Sequence, residues 1–73
     1  GTASAWQLQV TGEGIQISGA PERAPYRLSD EAGRLLQRGY TDATGKANVA
    51  FKANKAHVYI LTVGRESLKF VMP

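Results

Sequence analysis

Apolar residues return at every second position through most of this chain. A period of two marks a strand, because successive strand side chains point to opposite faces. Trp6, Leu8 and Val10 alternate with Gln7, Gln9 and Thr11, and Ile15 and Ile17 resume the pattern after Gly12-Glu13-Gly14. Tyr26 with Leu28, then Ala47, Val49 and Phe51, then Leu68, Phe70 and Met72 repeat it. The main competitor is a helical turn over residues 30–36, where Ser29, Glu31 and the Leu35-Leu36 pair resemble a capped start. Gly33 inside it and Gly39 beyond it favour strand, since glycine costs a helix interior about 1 kcal/mol.

The breaks between runs carry turn chemistry. Ser29-Asp30-Glu31-Ala32-Gly33 and Thr41-Asp42-Ala43-Thr44-Gly45 share the pattern D-x-x-G. Asp30 and Asp42 can accept backbone N–H groups two or three residues on, and Gly33 and Gly45 can take the positive φ that closes each loop. Val63-Gly64-Arg65-Glu66-Ser67 reads as a third hairpin, Asn54-Lys55-Ala56 as a short connection with Asn54 left-handed, and the stretch holding Pro21 and Pro25 as a stiff one. Seven strands result, near 6–10, 15–18, 25–28, 35–41, 46–52, 57–63 and 67–72. Their regular spacing predicts an all-β fold, a small antiparallel Greek-key sandwich.

One register does not close: with Leu36 and Tyr40 inward, Arg38 between them is inward too. A β-bulge near Arg38-Gly39 is expected to shift the alternation and give both leucines and Tyr40 apolar neighbours.

At 73 residues the chain is one domain, and its core is thin. Residues 1–5 read as a linker remnant and 6–73 as the sandwich. That start and the abrupt Pro73 suggest a module excised from something larger. There is no cysteine, which removes disulfides, a thiolate zinc site and a cysteine nucleophile together. The net charge of +3 is mild, and the nine Lys and Arg are scattered among acids, so no nucleic-acid partner is expected. No run approaches the roughly 18 apolar residues of a membrane span, and no n-region followed by an h-region marks a signal peptide.

The stretch from Pro25 to Ala47 reads Y-x-L, a D-x-x-G turn, an apolar pair, G-x-T-D-x-x-G and an alternating strand. In this it resembles the transthyretin-like (prealbumin-like) C-terminal domain of type VI secretion spike proteins, the VgrG family. More broadly it is similar to carboxypeptidase-regulatory-like sandwiches. The clear match covers about a third of the chain, and its motifs speak for fold more than for function. The resemblance implies an adaptor beyond the needle-like β-helix, holding an effector for delivery by a bacterial secretion apparatus. Transthyretin-related hydroxyisourate hydrolases carry several histidines and a C-terminal Y-R-G-S. This chain has one histidine and ends Lys69-Phe70-Val71-Met72-Pro73, which sets that branch aside.

No catalytic constellation emerges from the residues. His57 is the lone imidazole, opening a strand at a rim, and no G-x-S-x-G elbow accompanies it. The six carboxylates fall in turns by this map, and neither D-x-x-G loop offers calcium enough oxygens. Gly12-Glu13-Gly14 is a turn, too short for a dinucleotide fingerprint. The expectation is therefore a non-enzyme with no metal and no cofactor.

Residues 57–63 carry the functional signal, because apolar side chains occupy both faces of one strand. With Val58 and Ile60 facing the core beside Thr62, Tyr59, Leu61 and Val63 form an outer row, which Val71 extends if the last strand pairs alongside. A bulge or a neighbouring loop that covers the row is the competing account. An exposed row would be a partner-binding surface for a secreted effector or a neighbouring domain. Free edges of the first or last strand offer a second route, including a homodimer. The alternative function is a carbohydrate- or cell-surface-binding accessory domain of an extracellular enzyme or adhesin, with Trp6, Tyr26 and Tyr40 as stacking candidates. Trp6 in the core or at a domain junction is the competing placement. A plain structural spacer is the third reading, and its sign would be a fully polar exterior.

Overall fold

The computed structural model describes residues 5–53 and 57–72. Seven strands follow one another: β1 (Gln7–Thr11), β2 (Gly14–Ser18), β3 (Pro25–Asp30), β4 (Leu35–Tyr40), β5 (Ala47–Ala50), β6 (His57–Val63) and β7 (Glu66–Met72). Among the described residues there is no helix, and residues 35–40 are strand. β1-β2-β5 form a three-stranded sheet and β4-β3-β6-β7 a four-stranded one, antiparallel throughout. After β4 the chain crosses to the other sheet for β5, then returns beside β3 as β6. That return past a neighbour is the Greek-key connection. The expected all-β sandwich is the observed one.

The core lies between the sheets. Ile15, Ile17 and Val49 come from one layer and Leu28, Leu61 and Val63 from the other, with Trp6 also buried. β2, β5 and β6 donate alternate residues to it, so burial on both layers follows the period-two pattern. The indole Nε1 of Trp6 finds no hydrogen-bond partner among the described residues, so the ring contributes area rather than a polar contact.

The turns position these layers. In the β3–β4 turn the Gly33 N–H donates to the Asp30 carbonyl at 2.9 Å, and before β5 the Gly45 N–H donates to the Asp42 carbonyl at 3.1 Å. Gly45 has φ 76°, and a Cβ there would run into the Ala20 carbonyl. Glycine is what lets the proline-bounded connection after β2 lie against this turn. The connection is fastened further by buried Thr41, whose Oγ1 accepts the Ala24 N–H at 2.8 Å and donates to the Pro21 carbonyl at 2.7 Å. Between β6 and β7, Gly64 at φ 61° opens a two-residue loop, as a tight hairpin demands.

Two register expectations change. The bulge is real but lies elsewhere: Leu28 pairs with Gln37 and Ser29 with Leu35, leaving Leu36 as the extra residue, while Tyr26–Gly39 and Arg27–Arg38 pair regularly. The Tyr26 ring lies over Gly39, within reach of where a Cβ would stand, so this stretch stays in register because an aromatic fills the space. Both leucines and Tyr40 remain exposed instead of finding apolar cover. The second change concerns β6. Tyr59, Leu61 and Val63 are 6%, 0% and 3% exposed, so they face the core, and Val58, Ile60 and Thr62 face outward. Cross-strand neighbours decide this: Leu61 stands between Leu28 and Leu68, and the Tyr59 ring meets Phe51 edge-on at 5.2 Å and Phe70 at 6.1 Å. The expected connection at residues 54–56 lies outside the described residues.

Candidate interaction surface

The outer face of the four-stranded sheet can be built row by row from the pairing. One row runs Leu35, Ser29, Ile60, Lys69 across β4-β3-β6-β7. The next runs Arg38, Arg27, Thr62, Ser67, and Val58 sits beside Val71 on the other side of Ile60 and Lys69. Ile60, Val58 and Val71 thus adjoin in one apolar patch, with Leu35 two strands away beyond Ser29, on a face where strands usually turn polar residues to solvent. Val71 is 59% exposed and Leu35 48%, while Val58 and Ile60 are half-buried.

Charge on this face has one sign. Arg27, Arg38 and Lys69 lie on it, and the pairing puts no acid among these rows. Arg27 and Arg38 stand directly opposite each other, an arrangement that costs stability in an antiparallel pair. The ion pair formed among the described residues joins Arg34 to Asp30, at the turn, Nε to Oδ2 at 3.1 Å. The outer face of the three-stranded sheet is different in kind: Gln7, Gln9, Gln16, Ser18 and Asn48 are neutral and polar.

Of the expected partner-binding residues, Tyr59, Leu61 and Val63 are therefore core, and Val71 lies on the outer patch. Sequence reasoning recognised the two-sided strand but chose the opposite parity, which left Val58 and Ile60 out and missed Leu35. Leu35 carried a signal, since an apolar pair after a turn holds more apolar surface than one strand face can bury.

The turn carboxylates serve their turns. The Asp42 carboxyl is held below its ordinary pKa chiefly by the Lys46 N–H, with the Thr44 hydroxyl and N–H adding to it, at 3.0, 2.7 and 2.8 Å from Oδ1. Asp30 is lowered mainly by the Arg34 N–H at 2.8 Å, with the guanidinium assisting. Where β3 and β5 end and β6 begins, a cleft of about 640 Å³ is lined by Asp30, Arg34, Leu36, Phe51, His57 and Tyr59 among others. The His57 ring lies edge-on to Tyr59 at 6.2 Å, and no serine, threonine or cysteine is among the described lining residues. Among the described residues no group of three His, Cys, Asp or Glu stands close enough to hold a metal. The stacking candidates scatter: Trp6 is buried, Tyr26 lies over Gly39, and Tyr40 is 72% exposed.

These features define a small two-sheet β-sandwich with an apolar, cationic outer face. No protein-family model, no curated protein and no solved structure matches the chain.

Proposed function

We propose that this domain is a non-enzymatic docking module that binds an acidic protein partner on the outer face of its four-stranded sheet. One observation carries the reading: Val58, Ile60 and Val71 adjoin, and Leu35 lies beyond Ser29, on a solvent face whose charges, Arg27, Arg38 and Lys69, are all positive. An apolar centre with an arginine-bearing rim has the composition of an interface. The opposed arginines lose their mutual repulsion when a carboxylate lies between them, so an acidic partner gains what the free domain forgoes.

The resemblance of residues 25–47 to the VgrG C-terminal domain supports a finer statement. The partner is an effector, held at the end of a type VI secretion spike and delivered with it. The carbohydrate reading has less support, because the ring of Trp6 is buried and a stacking platform needs exposed faces.

The test is calorimetric titration with proteins encoded beside this one's gene. Saturable binding that weakens with salt, and that falls about tenfold or more in an Arg27→Glu/Arg38→Glu variant, is the expected result. No saturable binding to any of them would remove the docking reading.

A further inference from the structure

The four sheet edges are not equivalent. β4 is broken by the bulge at Leu36. β5 is four residues long, and the Ala50 carbonyl accepts the Gln37 Nε2–H at 2.7 Å from across the sandwich. β1 is five residues long. β7 has seven residues, pairs with β6 in unbroken register from Val63–Glu66 to His57–Met72, and has no strand on its other side among the described residues. Bulges, short strands and side-chain caps are how sheets blunt their edges. β7 lacks all three.

The phase of its hydrogen bonds follows from the hairpin. In a two-residue loop the flanking pair, here Val63 and Glu66, exchanges both bonds, and bonded pairs then alternate along the ladder. Glu66, Leu68, Phe70 and Met72 direct their backbone groups to β6, so Ser67, Lys69 and Val71 direct theirs outward. The Gly64 N–H to Pro25 carbonyl bond, 2.9 Å, fits the same phase across β6 to β3. On the core side of β7, Leu68 and Phe70 are only half-buried, because a three-stranded layer faces a four-stranded one.

We infer that β7 is a strand-addition site for an extended segment of a partner protein, one with apolar residues on its core-facing side and carboxylates on the other. The backbone groups of Ser67, Lys69 and Val71 supply the ladder. The segment's apolar side chains cover Leu68 and Phe70. Its outward residues lie beside Val71 and Lys69, where a carboxylate meets an ammonium. A second copy of this chain fits less well: antiparallel pairing of β7 with itself about its centre brings Lys69 against Lys69 and joins two chains of net charge +3. This inference rests on the docking reading and adds the geometry by which a partner attaches.

The probe is a labelled peptide of about nine residues alternating valine and glutamate, long enough to match one strand. A peptide of the same composition in scrambled order, and one alternating valine and lysine, serve as controls. The expected result is saturable binding of the first alone, with slowed amide exchange at Ser67, Lys69 and Val71. Lys69→Pro removes an outward N–H without breaking the β6–β7 ladder, and proline is tolerated at such edge positions. It should weaken the peptide about tenfold or more while the far-ultraviolet spectrum stays unchanged.

Lys69→Glu keeps the backbone donor, so it reads the charge even if the proline variant does not fold. It should weaken the glutamate peptide and admit the lysine one. Three results would overturn the proposal: no binding up to about 1 mM, binding indifferent to both variants, or a dimer in sedimentation that Lys69→Pro dissolves. The docking reading fails separately, on the titrations with Arg27→Glu/Arg38→Glu, which leave the β7 edge intact.

Discussion

Thr41 shows how much one side chain can fasten. It is a β-branched residue just beyond β4, and its hydroxyl ties Ala24 and Pro21, seventeen and twenty positions earlier in the chain. Thr41→Val keeps the shape and leaves the Ala24 N–H buried without an acceptor. It should cost about 2 kcal/mol in chemical denaturation, against about 1 kcal/mol for an ordinary hydrogen bond. Asp42 works by charge as well as by geometry. Its folded pKa lies below its unfolded one because three donors hold the carboxylate. Its contribution is therefore complete above the unfolded pKa and is lost as pH falls through the folded one. Stability measured down through that acid window should decline less in Asp42→Asn than in the native chain. An equal decline in both would remove Asp42 from the account.

Among the elements, β6 has the most to decide, being central to its sheet and apolar on both faces. Its neighbours settle its orientation: Leu28 and Leu68 flank Leu61, and the Phe51 and Phe70 rings close on Tyr59. Leu61→Ala should cost about 2–5 kcal/mol, the range for emptying a buried leucine site. Val71→Ala on the outer patch should stay within about 0.5 kcal/mol, as exposed substitutions do. Thermal unfolding of the two variants checks the assignment of faces, and the reverse order of losses would return Tyr59, Leu61 and Val63 to the outside. The bulge in β4 has a consequence at the same scale. It breaks the β4 edge just beyond Gln37, which pairs with Leu28 on the core side and caps the Ala50 carbonyl with its amide. One residue's insertion thus helps blunt the side of the sandwich opposite β7.

Across the whole molecule the two outer faces differ in chemistry. The three-stranded sheet shows neutral amides and hydroxyls, while the four-stranded one shows apolar surface among cations. A modest net charge of +3 conceals this, because Asp30, Glu31 and Asp42 lie in or next to turns and Arg27 and Arg38 lie on one face. The apolar, cationic face and the β7 edge adjoin at Lys69 and Val71, so under the proposed reading a partner adding a strand there would continue onto the patch. Sequence by itself determined the strand count, the turns and the sandwich class. Each of these rests on local chemistry: alternation over a few residues, or an aspartate three positions before a glycine. The inward face of β6, the position of the bulge and the open edge were decided by tertiary structure. Where both faces of a strand are apolar, alternation is symmetric under a shift of one residue, and only the residues standing opposite can break that symmetry.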